Sequence, residues 1–562
     1  MTAVLLTLTL LGALGQASPA RQVGLYRIGG VVLDALTNVP VAHAQVSISR
    51  GGEQASTAAG DDGRFAFEGL EAGKYTLNAT AAGYLQEAYN QHGAFMVAIA
   101  VGQDQDTEHL VFHLHPQAVI YGRVTDERGE AVRGAQVALF ASDLGRGNHA
   151  RTMRAEKQTN DLGEYRFAHL AAGKYYLAVQ AQPWYAQPQL SAQSRPDSGS
   201  FGRGVRSFSV SGPRPGSDPT LDVVYPITFY PGVTDENSSA ALVLSAGERE
   251  EANITLQAVP ATHLRLASFN KEGATSFGVG ASRRVFGTFT FGLNDVFGQV
   301  APGEYEVAGL PPGDVTLVVT TNKANKGNEW TSRSIEVDSR SQGTIDAADL
   351  PVTAKVAGQV FLPGPSAQTG GGSVSLMSTS VTTLPGVTAP LQDDGTFNFP
   401  EIQSGTYRVQ VNFRTSGHYV QKVVAKGAAV SGREFTITGG DDVNLTVTIG
   451  QGQGRVSGVV QSDGKPTSGV MVLLVPASGQ EMEEDSRMDE SDSDGSFTLS
   501  NILPGPFILL AIKDGWDLEW AKPGALEPYL PAGQKLTIAP NQSMKVTATA
   551  QEKTPKAERV RQ

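Results

Sequence analysis

The sequence predicts an all-β fold, a tandem array of about five immunoglobulin- or transthyretin-like β-sandwich modules. Three observations predict it: a seven-position core pattern that recurs five times, alternating apolar strands on either side of it, and abundant Gly (64) and Pro (30) for tight turns. At 562 residues the chain is too long for one hydrophobic core. Its 40% apolar and 18% charged residues are those of a folding chain.

In the first copy, Gly63, Phe65, Phe67, Leu70, Gly73, Tyr75 and Leu77 mark a fixed frame. The same spacing returns from Gly163 to Leu177, Gly303 to Leu317, Gly395 to Val409 and Gly495 to Leu509. The first Gly closes a turn, often after Asp (Asp62, Asp394, Asp494). Two apolar residues at i and i+2 share one strand face, a Leu or Ile plugs the connection, and a second Gly starts the partner strand. The frame therefore reads as a hairpin with one apolar face, which needs a second sheet. Upstream, Gly30-Val31-Val32, Gly122-Arg123-Val124, Gly358-Gln359-Val360 and Gly458-Val459-Val460 open four copies. Strands such as Ala135 to Leu139 and Val470 to Leu474 follow, and alternating strands such as Leu110/Phe112/Leu114 close each copy. The third copy keeps the frame, but its opening strand near His263 to Leu266 is poorly marked.

The expected modules are 21–116, 117–260, 261–350, 351–451 and 452–552, with a polar tail at 553–562. Module two carries a Ser-, Gly-, Pro- and Gln-rich insert over about 182–219, expected to be an exposed, mobile loop. Residues 1–20 read as a signal peptide: Val4 to Leu14 is apolar apart from Thr7, Thr9 and Gly12, and small residues follow at Ala17, Ser18 and Ala20. No Lys or Arg precedes that run, which is unusual for a signal. No later stretch is long and apolar enough to span a bilayer, so the expected setting is periplasm, outer-membrane surface or extracellular space.

The string Gly-x-Val, Gly-Ala-x-Val and then Asp-x-x-Gly-x-Tyr/Phe-x-Phe-x-x-Leu-x-x-Gly-x-Tyr-x-Leu resembles the carboxypeptidase regulatory-like domain. Gly122 to Val124, Gly134 to Val137 and Gly163 to Leu177 carry it best. The resemblance implies a transthyretin-like sandwich, akin to starch-binding and collagen-adhesin modules, that accompanies other activities on secreted or outer-membrane bacterial proteins. It implies no catalysis, and no peptidase catalytic motif stands in this chain.

With 44 Lys and Arg against 56 Asp and Glu, the net charge of −12 argues against a nucleic-acid partner. The absence of cysteine excludes disulfides, thiolate metal sites and a cysteine nucleophile. His113 and His115 share a strand face at metal-ligand spacing, yet Leu110, Phe112 and Leu114 take the inward positions, so the histidines read as surface residues. Glu490 to Gly495 approaches a calcium loop, but the acidic run 481–494 reads as a solvated loop. Gly69 to Lys74 is one residue short of a phosphate loop, and Lys355 with Asn444 is the candidate pair for an isopeptide cross-link. Stacking on sugars needs exposed aromatics, for which Trp184, Tyr185, Tyr230, Trp516 and Trp520 are the candidates. No hydrolase motif is present, and no cofactor is expected. The function expected is a non-catalytic structural or interaction protein at the bacterial cell envelope, its partner an envelope protein or polysaccharide. Carbohydrate binding through modules two and five is the alternative.

Overall fold

A computed structural model describes residues 25–554 apart from 144–146, 148–149, 192–217, 268–275, 302–303, 324–328, 342, 364–371, 380–385, 414–416 and 480–481. The expected signal peptide, most of the insert and most of the polar tail lie outside the described residues. The chain divides into two compact units. The first holds residues through 82 with 86–90 and 98–114; the second holds 83–85, 91–97 and 115 onward.

Each frame builds two sheets rather than one hairpin. In module one, Arg64–Leu70 pairs with the opening strand Tyr26–Asp34, while Gly73–Thr80 pairs with Gln45–Arg50 in the opposite sheet. The second module repeats this: Glu164–Leu170 joins Ala118–Thr125, and Gly173–Gln180 joins Gln136–Asp143. The other three do the same. The frame is thus a corner that carries the chain from one sheet to the other. Its paired apolar residues face each other across the core instead of sharing a sheet face with a hairpin partner.

Side chains of the frame turn fix its entry. The Oδ1 atoms of Asp62, Asn160, Asp394 and Asp494 accept backbone N–H bonds from the residue two positions on, at 2.9–3.1 Å. The opening glycine has a packing cause. Gly30, Gly122, Gly358 and Gly458 lie opposite Phe65, Tyr165, Phe397 and Phe497 in register. A Cβ on any of the four would fall against a carbonyl oxygen of the neighbouring strand segment, from Leu110, Ala252, Leu445 or Val546. Module three departs here. Leu266 stands opposite Tyr305, and Leu266 is buried while Tyr305 is only half-buried, stacked on Phe297 at 5.7 Å. The added strand Val296–Ala301, which supplies Phe297, covers the frame strand Glu304–Leu310.

In all five modules the closing strand pairs in parallel with the opening strand. The sandwich cores contain the apolar frame residues of modules two, four and five, such as Phe167, Phe399 and Phe497. Outer sheet faces differ between modules. Val470–Val475 and Ala135–Phe140 are buried on both faces, except for Gln136, whereas Ser47, Ser49 and Thr76 keep an outer face of module one polar. Among the described residues no helix is long and apolar enough to cross a membrane.

Candidate functional site

The strand Leu110–Leu114 alternates buried and exposed, so His113 faces outward, and His115 just beyond it is also exposed. Among the described residues no group of three metal-ligating side chains converges. Gly69 to Lys74 forms the corner between two frame strands and leads into a strand, the wrong context for a phosphate loop. Lys355 and Asn444 are both exposed and share a shallow open cleft of about 660 Å³ on the outer sheet face of module four, with Gln359, Thr396 and Asn398. The pair is outside the core.

The acidic run of module five is not simply a solvated loop. The Glu490 side chain is fully buried, and its Oε1 lies 2.8 Å from His92 Nδ1. Burial pushes the Glu490 carboxyl up, and the His92 bond offsets that only in part. Its neighbour Ser491 is buried too, and Asp494 accepts from Ser496 in the turn. A calcium loop would need these oxygens free.

The aromatics separate into two groups. Trp520 is 5% exposed, packed with Leu518, Leu526 and Tyr529 over the outer sheet face of module five. Gly147 of module two lies flat against its indole, and Ala521 N–H donates to Gly147 C=O at 2.9 Å. Trp516 is half-buried and stacks on His92 at 4.8 Å with planes 3° apart, and Phe95 adds a second ring at 5.8 Å. Both tryptophans were expected to be exposed; Trp520 is buried and Trp516 half-buried, because their segment caps an apolar sheet face. Tyr230 is half-buried against the module-two core. Trp184 alone stands in water, at 80% exposure. Its neighbour Tyr185 is half-buried and donates its hydroxyl to Glu127, and burial and then the Glu127 contact push the phenol up to about 12.

Sequence reasoning missed the cluster where module two meets module three. His263 Nε2 lies 2.6 Å from Asp222 Oδ2, and its Nδ1 lies 2.5 Å from Glu306 Oε1. Glu306 Oε2 accepts from the Ser191 N–H at 2.9 Å and from its hydroxyl at 2.5 Å. Hydrogen bonds to Asp222 and Glu306 raise the His263 imidazole to about 9. Burial pushes Glu306 up, but the bonds from His263 and Ser191 outweigh it and hold the carboxyl below its usual range. Ser191 lies near the start of the insert and Asp222 just beyond its end, so one histidine–glutamate pair grips both sides of it. Gln187 N–H to Leu221 C=O at 2.7 Å and buried Leu190 add to the grip. The described ends of the insert are therefore tied to module three.

Beside this cluster lies an aromatic interface. Phe140, Ile227 and Phe229 of module two meet Val285, Phe286 and Phe291 of module three. Phe286 sits edge-on to Phe140 at 4.9 Å, and the Arg151 guanidinium lies 3.9 Å above the Tyr176 ring. Modules three and four share a buried pair, Gln403 Oε1 accepting Ser334 N–H at 2.7 Å and its amide donating back to Ser334 C=O at 3.0 Å. Modules four and five are clasped by Arg433 on Asp485 at 2.7 Å and by Arg408 on Glu484.

With this geometry in place, comparison with known proteins is informative for the first two modules. Residues 27–114 and 119–196 match the carboxypeptidase regulatory-like domain family. The match spans most of module one and the first half of module two. Residues 453–524 match the second β-sandwich domain of the BOS complex subunit NOMO1-like family. No curated protein matches the chain. Solved structures with similarity include GBS52, the minor pilin of Streptococcus agalactiae (16% identity, 36% of this chain and 98% of that one, TM-score 0.20). Others are the Bacillus anthracis TIE protein (10%, 95% and 75%, 0.17) and BcpA, the major pilin subunit of Bacillus cereus (11%, 77% and 99%, 0.14). TM-scores this low bear on neither arrangement nor role. The first two modules hold the Trp184 turn and one side of the His263 cluster.

Proposed function

We propose that this chain is a non-catalytic, exported structural and interaction protein of the bacterial cell envelope, its modules bounded at 21–116, 117–260, 261–350, 351–451 and 452–552. The observation that carries this reading is a set of buried and half-buried polar side chains at the junctions of modules two to five. His263 to Asp222, Glu306 to Ser191, Gln403 to Ser334 and Arg433 to Asp485 all bond across module junctions. Buried polar pairs of this kind add modest net stability but fix geometry, because any other arrangement leaves them unsatisfied. Their chemistry serves orientation, as a scaffold requires. Export is supported by the apolar run Val4 to Leu14 followed by small residues. The partner is an envelope protein or a polysaccharide.

Two measurements test the role. Cell fractionation of the tagged chain places it outside the cytoplasm, and X-ray scattering of residues 115–554 fits one rigid particle. Cytoplasmic retention, or a curve that needs independently moving modules, overturns the reading.

A further inference from the structure

We propose that the turn 183–186 of module two is a polysaccharide-binding site, with the Trp184 indole as its stacking platform and Arg128 as a hydrogen-bond donor. The turn closes with Ala186 N–H donating to Pro183 C=O at 3.0 Å, which makes Trp184 and Tyr185 its central residues and turns Trp184 outward. An indole at 80% exposure forgoes apolar burial that contact with a ligand regains.

The platform is braced before any ligand arrives. Trp184 stands edge-on to Tyr185, with ring centroids 5.7 Å apart and planes at 89°. The Tyr185 hydroxyl is held by Glu127, whose other oxygen accepts from Tyr225 at 3.4 Å. Just downstream, Gln187 and Gln189 tie the chain to Leu221 and Asp218. A rigid aromatic loses little freedom on binding, so its contact area converts efficiently into affinity. The Arg128 guanidinium lies 5.7 Å over the Tyr185 ring and forms no ion pair among the described residues, so its donors face solvent.

The ligand class follows from this chemistry. An open indole face suits the flat C–H face of a pyranose, and adjacent guanidinium donors suit its hydroxyl rim. A peptide hot spot built from Trp, Tyr and Arg sits at the centre of a wider desolvated patch. Here the neighbouring Gln182, Gln187, Arg128 and Glu130 are all exposed and polar. The site deepens the interaction part of the proposed role and rests on it. The scaffold part is tested by fractionation and scattering, which no sugar result changes.

The test is calorimetric titration of the full chain with maltohexaose, cellohexaose, xylohexaose and chitohexaose, alongside a peptide array. At least one hexasaccharide binds, Trp184→Ala weakens it by about tenfold or more, and Arg128→Ala weakens it several-fold. Both variants keep the wild-type melting temperature, since both side chains are exposed. The proposal is overturned if no saccharide binds, if binding survives Trp184→Ala, or if Trp184 governs peptide binding alone.

Discussion

Modules two and five solve one problem in opposite ways. Each has a sheet whose outer face is apolar: Ala138, Phe140, Ala178 and Phe229 in module two, Met471, Leu473, Val475 and Leu510 in module five. Module five covers its face with its own segment after the frame, through Leu518, Trp520, Leu526 and Tyr529. Among the described residues of module two no such segment stands over the face, which is covered instead by Val285, Phe286, Phe289 and Phe291 of module three. One module carries its own lid; the other borrows one. Sandwich modules of the same frame can thus be self-sufficient or obligate partners, depending on where the second layer of apolar residues stands in the chain.

Excision breaks this comparison most sharply. Residues 452–554 alone are expected to be monomeric, with a near-ultraviolet signal changed only where Trp516 and Trp520 lose His92, Phe95 and Gly147, whereas 117–260 alone exposes Phe140 and Phe229 and self-associates in sedimentation velocity. A soluble, monomeric 117–260 fragment removes the distinction. In the intact protein, Phe140→Asp places a carboxylate between the two aromatic layers and costs at least about 4 kcal/mol. It splits the calorimetric transition, because module three loses its attachment. Trp520→Ala costs about 3 kcal/mol and leaves a single shifted transition, because the remaining lid side chains still cover the sheet.

The smallest effect is a pH dependence confined to the borrowed side. The His263 imidazole is raised from its ordinary 6.5 to about 9. Its contribution is therefore complete below pH 6.5 and lost as pH rises through 9. The groups facing it are Asp222 and Glu306, with Ser191 on the far side of Glu306. The loss amounts to about 1–2 kcal/mol after allowing for partial exposure of the imidazole. His263→Gln flattens the melting temperature over this window, and a wild-type profile already flat from 6.5 to 9 contradicts the cluster's role.

The alternation of Leu110, Phe112 and Leu114 and the five frames made inward faces readable from sequence, because period-two burial is a local property. The doubly apolar runs Val470 to Leu474 and Ala135 to Leu139 also carried a legible signal: a strand apolar on both faces is covered on both. What covers each is not local. The same limit concealed Trp520, whose burial depends on the strand Met471–Val475 and on Gly147, both distant in sequence. Glu306 occupies an outward frame position that holds Arg166 in module two and Asn398 in module four, so nothing local marks it as buried. Its environment comes from Ser191, 115 residues earlier. The frame's switch between sheets was illegible for a related reason: two alternating strands separated by a Gly-containing turn look the same whether they pair with each other or with others.

The parallel pairing of first and last strands in every module has a mechanical consequence. Tension entering at the start of the opening strand and leaving at the end of the closing strand pulls the two past each other along their length. Pairs such as Val356–Val443 through Phe361–Thr448 are then strained together in shear, rather than peeled apart one after another. Rupture requires a whole ladder to fail at once, so each module resists extension along the chain far better than the net stability of its core implies.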